Sequence, residues 1–229
     1  MAFLIAIEGI DGSGKGTQAQ ILTDRLKENG FSSELVSFPQ YDQTLFGSAI
    51  GDFLNGKFGS LNEVNPFLAS LLYAGDRFES KPMLMNLLEK NDVVVLDRYV
   101  SSNIAHQGSK LSGDQQADLI EKIRKIEFEI NGLPQTDLTI LLDITSSLSQ
   151  NLIARKQKRT YTDSKADLQE ADSEYLASVR DVYITLADQS EDWTVVPVGL
   201  EGKEGTEPRT IEEISEEIWK TVIKKIQAA

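Results

Sequence analysis

Short uninterrupted apolar runs alternate along this chain with stretches of helical period. Phe3 to Ile7 contains no polar side chain and stops at Glu8-Gly9; Glu34 to Phe38, Asp92 to Leu96 (DVVVL), Leu138 to Leu142 (LTILL) and Trp193 to Val198 read as further strands. Strands that lack a polar face belong to parallel sheets covered on both sides. Thr17 to Asn29 follows the first, with Ala19, Leu22 and Leu26 on one face and Gly30 as the expected C-cap. Asn65 to Phe78 and Pro82 to Lys90 predict two helices separated at the proline, and Asp114 to Ile130 a longer one. Asp172 to Gln189 opens on acidic residues that suit a helix N-terminus. Ile211 to Ile226 is preceded by Thr210, which forms a capping box with Glu213, and its Ile211, Ile214, Ile218, Val222, Ile226 stripe is expected to dock on the sheet. The alternation predicts an α/β fold, a three-layer α/β/α sandwich around a five-stranded parallel sheet.

The 229 residues show no internal repeat and no boundary, so residues 1–229 are read as a single domain. With 23 Lys+Arg against 36 Asp+Glu the net charge is −13, which argues against nucleic acid binding through a basic surface. Any phosphate must be gripped locally. The absence of cysteine excludes zinc–thiolate sites and thiol nucleophiles. No apolar run approaches the roughly 18 residues of a membrane span, and MAFLIAIEGIDG lacks a basic leader segment, so a soluble cytoplasmic protein is expected. Two segments read as loops: Gly199 to Arg209, and Arg155 to Lys165 (RKQKRTYTDSK), which is basic inside an acidic chain.

The candidate chemistry begins at Gly9-Ile10-Asp11-Gly12-Ser13-Gly14-Lys15, a GxxxxGK sequence directly after a strand and before a helix. Glycines let successive N–H groups turn into one anion-binding concavity, the helix terminus adds partial positive charge, and Lys15 adds a full one. Gly16 stands where the strict motif has Ser or Thr, and Thr17 follows. Thr17 is then expected on a phosphate, leaving Mg²⁺ to waters and acids. Asp97 ends the DVVVLD strand at the sheet edge expected for a metal-associated acid; Asp143 ends TILLD similarly but has no second signature. No NKxD stretch is present, which counts against a GTPase.

Further motifs appear in order: Phe38-Pro-Gln-Tyr41, Leu72-Tyr-Ala-Gly-Asp-Arg77, Asp97-Arg-Tyr99 with Ser101-Ser-Asn-Ile-Ala-His-Gln-Gly108, and Gly132-Leu-Pro134. Together with the phosphate loop they resemble the thymidylate kinase family over nearly the whole length. That resemblance implies the P-loop NTP hydrolase fold, ATP with Mg²⁺ as donor, dTMP as acceptor, and a homodimer. It implies that Arg98 holds the acceptor phosphate, with an arginine fork suited to phosphate oxygens. Arg77 would face the pyrimidine edge, with a structural pairing to Asp76 or Glu79 as the alternative. Tyr73 would stack on thymine and Phe38 wall the pocket. Tyr41 would approach sugar or phosphate, and Asn103 and Gln107 base or sugar. Asp11 would lie near the 3′-hydroxyl and metal. A lid at about 155–170 would bring Arg155 and Arg159 to the transferring phosphoryl, Arg155 favoured, and Glu170 near the metal. Three departures stand out: Gln40 where many relatives carry arginine, Tyr73 for phenylalanine, and His106 for a tyrosine that crowds the sugar 2′ carbon in relatives. His106 reads either as a satisfied polar residue or as a sensor of that carbon.

Overall fold

The computed structural model describes residues 2–60, 63–155, 173–200 and 207–228, with Arg155 described in its backbone alone. The expected lid arginines Arg155 (as a side chain) and Arg159, and the acid Glu170, therefore lie outside the described residues. Five strands, β1 (Phe3–Glu8), β2 (Ser33–Ser37), β3 (Val93–Asp97), β4 (Leu138–Asp143) and β5 (Trp193–Pro197), form one parallel sheet in the order β2-β3-β1-β4-β5. β3 is buried at Val93, Val94, Val95 and Leu96, and β4 at its first five residues. Each Val, Leu or Ile among them removed from water contributes about 1.5–3 kcal/mol.

Helices α1 (Lys15–Glu28) and α8 (Ile211–Ile226) pack on each other and on the sheet, α1 against β1 and β3, α8 against β4 and β5. Thr210 and Glu213 form the expected capping box. The docked stripe is Ile214, Ile218 and Val222, with Ile226 partly buried against the same core, whereas Ile211, in the first turn, is half exposed. The second layer contains α3 (Pro66–Lys90), α4 (Val100–Gly108) and α7 (Ser173–Asp188), with α2 (Leu45–Leu54), α5 (Gly113–Arg124) and α6 (Ser146–Arg155) outside it.

Three expectations are corrected. The two helices predicted on either side of Pro82 are one helix, α3. Proline removes a single bond to the carbonyl four residues earlier. Buried Ala74 and Arg77 before it, and Leu84 and Leu88 after it, hold both halves in place. The helix predicted over 114–130 changes pitch at Lys125, where a π-helical segment, Lys125–Ile130, brings the Asn131 N–H to the Ile126 carbonyl and turns Glu127 fully inward. Two helices, α2 and α4, have no counterpart in the hydrophobic pattern. In α4 every residue but Ser101 is buried, polar ones included, so it shows no apolar stripe.

Register positions the functional edge. Ile7 lies opposite Asp97, and Glu8 opposite Leu141, so β1, β3 and β4 end together. The loop leaving β1, the central strand, therefore opens beside the loops that leave its two neighbours.

Candidate active site

β1 delivers the chain into the Gly9–Gly14 loop. Its turn uses left-handed backbone at Gly12 (φ 81°) and Gly14 (φ 91°), conformations closed to most side chains. A Cβ on Gly12 would lie 2.7 Å from the Ser149 carbonyl, so α6 presses directly on the loop, and Ser149 Oγ donates to the Asp11 carbonyl. Gly14 caps α1 without a side-chain bond, and the first turn carries no acid, which leaves its N–H groups for an anion. Lys15 is buried, its Nζ donating to the Ile10 carbonyl at 2.8 Å.

Gly16 has a steric reason. A Cβ there would lie 3.0 Å from Asp97 Oδ2, so the glycine lets β3 bring its carboxylate against the start of α1. Asp97 Oδ1 is buried without a hydrogen-bond partner. A carboxylate oxygen so placed beside an anion cradle fits a divalent cation. Among the described residues no group of three or more His, Asp or Glu gathers to hold a metal.

Arg98 follows at φ 70°, left-handed backbone that costs a non-glycine residue about 1–2 kcal/mol. The neighbourhood enforces it. Arg98 N–H donates to Ile7 O, and Tyr99 N–H to Oε1 of Glu8, a fully buried carboxylate that also accepts from Ser102 Oγ and Tyr183 Oη. The strained turn aims the guanidinium at Asp11 Oδ1 (2.5 Å), Ser102 Oγ (3.2 Å) and His106 Nε2 (3.4 Å). Burial works against its charge, yet the Asp11 carboxylate, then Tyr183, Asp97 and Glu8, outweigh it and raise its pKa. Asp11, Gly12, Gly14, Lys15, Gly16, Thr17, Asp97 and Arg98 line one cavity of about 240 Å³. The glycine loop and Arg98 thus share a chamber.

Arg77 is not paired with Asp76 or Glu79. It forms a buried two-pronged ion pair with Glu127, through Nε at 3.0 Å and through Nη2. Asp76 instead accepts from the Gln40 N–H and the Thr44 hydroxyl, clamping the Phe38-Pro-Gln-Tyr41 loop to α3, and burial raises its pKa. Asn103 Nδ2 donates to Glu127 and to Ser70 O. Asn103 Oδ1 and Gln107 Nε2, one turn apart on α4, are buried without partners, an acceptor and a donor on one helix face. Tyr41 and Tyr73 pack, half-buried, against a small core of Ile50, Phe53, Leu54 and Ala69, while Phe38 is buried in the main core beside Tyr99. Asp143 is held by Arg180 through two bonds of 2.6 and 2.8 Å, which accounts for its position at the strand end.

His106 is buried, and burial with the Arg98 charge pushes its pKa down to about 3. An unfolded histidine titrates near 6.5, so the sign is fixed: its contribution to stability is complete above pH 6.5 and is lost as pH falls toward 3. Between about pH 7.5 and 5 the native state loses about 2 kcal/mol through this group. As the chain has one histidine, His106→Gln should remove that loss. Denaturant titrations at both pH values test this; an identical loss in the variant would refute it.

Glu127, Glu8, Ser102 and Tyr175 escape the sequence reading. Ser102 lies inside a quoted motif and Glu8 at the end of the first apolar run, whereas nothing in the pattern marks Glu127 or Tyr175.

Residues 7–207 match the family model described as thymidylate kinase. The thymidylate kinase of Mycobacterium tuberculosis is 32% identical over 186 residues, covering 81% of this chain and 86% of that protein. The probable thymidylate kinase of Archaeoglobus fulgidus is 30% identical over 221 residues, covering 96% and 94%. The structure of the Candida albicans thymidylate kinase superposes with a TM-score of 0.74 at 26% identity, covering 98% of this chain and 93% of that one. On sequence and fold together, the chain belongs to the thymidylate kinase family, the ATP-dependent dTMP kinases.

Proposed function

We propose that this family's reaction, transfer of the γ-phosphoryl of ATP to dTMP, runs across the cavity shared by Lys15 and Arg98. That shared chamber is the observation that carries the reading. The loop N–H groups, the α1 terminus and Lys15 hold the phosphates of ATP, with Thr17 on a phosphate oxygen. Arg98 exchanges bonds to its present acceptors for the acceptor phosphate, whose oxygen attacks the γ-phosphorus as the bond from that phosphorus to the β–γ bridging oxygen breaks, the bridging oxygen leaving with ADP and the phosphoryl group with dTDP. No proton need move. Asp97, with its unpartnered Oδ1, is the residue that would hold Mg²⁺, which when bound neutralises charge on the phosphates. Asp11 already anchors Arg98 and so sits between the two guests. Asn103 Oδ1 and Gln107 Nε2 supply an acceptor and a donor that complement N3–H and a carbonyl of thymine, and Arg77 is linked to Asn103 through their common partner Glu127. Tyr41, Tyr73 and Phe38 supply apolar walls. From the family resemblance, Arg155 and Arg159 serve the transferring phosphoryl and Glu170 the metal, with residues 155–170 as the lid of one domain. The test is product formation from ATP with dTMP, dUMP, UMP, dCMP or AMP: dTDP with dTMP as the preferred acceptor supports the assignment, and dTMP-independent ADP release contradicts it.

The proposal includes a cytoplasmic homodimer. Among the described residues no helix is long and apolar enough to cross a membrane. Leu45 on α2, with Phe78 and Met83 on α3, places exposed apolar side chains on two adjoining helices, the kind of face a second copy covers. Sedimentation equilibrium at about twice 25.4 kDa is expected, and the monomer mass would exclude it.

A further inference from the structure

Helix α4 grips Arg98 with two groups one turn apart, Ser102 and His106. Both ring nitrogens of His106 are engaged: Nε2 lies 3.4 Å from Arg98 Nη1, and Nδ1 lies 3.0 Å from the Tyr175 hydroxyl. A guanidinium only donates. Nε2 must therefore be the acceptor, and the ring proton sits on Nδ1, where it donates to the tyrosine oxygen. The tyrosine in turn donates to the His106 carbonyl at 3.0 Å. One hydroxyl thus bonds both the ring and the backbone of the same residue. The two rings also lie against each other, centroids 5.8 Å apart. Tyr175 stands in the first turn of α7 and packs against the small core that contains Ile50 and Phe53, so its hydroxyl is held from behind.

We propose that His106 and Tyr175 are positioning residues for phosphoryl transfer: Tyr175 locks the imidazole in its Nδ1–H tautomer, and the Nε2 lone pair then holds the Arg98 fork in line with the acceptor phosphate. The proposal rests on Arg98 being the acceptor-phosphate residue. Removing the tyrosine hydroxyl frees the ring to place its proton on Nε2, which would face Arg98 with a second donor. The bond lost is charge-assisted, and a fork that wanders costs alignment as well as affinity.

Steady-state kinetics on four variants, with ¹⁵N spectra of the single histidine, test this. In the wild type the spectrum should show Nδ1 protonated; an Nε2–H tautomer would overturn the proposal without any mutation. Tyr175→Phe and His106→Asn, whose short amide reaches only the Nδ1 position, should each lower kcat/KM for dTMP about tenfold, with KM for ATP nearly constant. His106→Gln, whose Oε1 reaches the Nε2 position, should recover to within about threefold of wild type. Equal defects in the Gln and Asn variants, or wild-type dTMP kinetics in Tyr175→Phe, would refute the relay. Arg98→Lys separates the two layers. If it leaves dTMP kinetics unchanged, the assignment of Arg98 itself fails; if it is impaired while Tyr175→Phe is normal, the relay alone fails.

Discussion

Replacing Lys15 by alanine lowers kcat by at least about 10²–10³-fold, the scale on which preorganised charge acts on a developing anion. Lys15 is buried at the start of α1, inside the same cavity as Arg98, and its ammonium is held at the Ile10 carbonyl rather than in bulk water. It would therefore meet phosphates bound in the loop with little reorganisation. The fold does not depend on it in the same degree, because Gly9, Gly12 and Gly14 set the loop's shape and α6 supports it from behind. Calorimetric titration with dTMP should still show binding in the variant, while ADP production is lost. A kcat within threefold of wild type would remove Lys15 from the mechanism.

Glu127→Ala produces the largest loss of stability, about 3–5 kcal/mol, because it strands the Arg77 charge in a fully buried site. It also removes the acceptor of Asn103 Nδ2, which helps tie α4 to the π-helical segment. For a chain of this length the melting temperature should fall by about 10 °C. Replacing both partners by apolar residues of similar size, Arg77→Met with Glu127→Leu, should recover most of that loss, since a buried ion pair contributes little beyond the penalty of breaking it. The double variant should nevertheless bind dTMP poorly if Arg77 sits at the base. Scanning calorimetry decides the first point: a change below about 2 °C in Glu127→Ala would show that the pair is not stranded by the mutation.

The sheet and the phosphate cradle were legible because each obeys a local rule. Apolar runs such as DVVVL have no other way to bury both faces, and the glycine spacing before Lys15 has few other uses. α4 was not legible as a helix because Asn103, His106 and Gln107 are buried polar residues, and burial of that kind erases the amphipathic period. Pro82 misled for the opposite reason: a strong local signal is overridden by packing on both sides of it. At the site, motifs pointed to Arg77 and Arg98 but not to what holds them. Glu127 lies 50 residues from Arg77, on a π-helical segment with no recognisable pattern. Tyr175 meets His106 across 69 residues. Such pairings are set by how α3, α4, α5 and α7 pack, and no spacing along the chain records them.

If the glycine cradle and Arg98 serve one cleft, two nucleotides lie end to end within it. A single molecule joining adenosine to thymidine through a phosphate chain tests this most directly. It should bind one per chain and compete with both ATP and dTMP, and Lys15→Ala and Arg98→Lys should each weaken it. Competition with ATP alone, leaving dTMP binding untouched, would place the acceptor elsewhere and contradict the account.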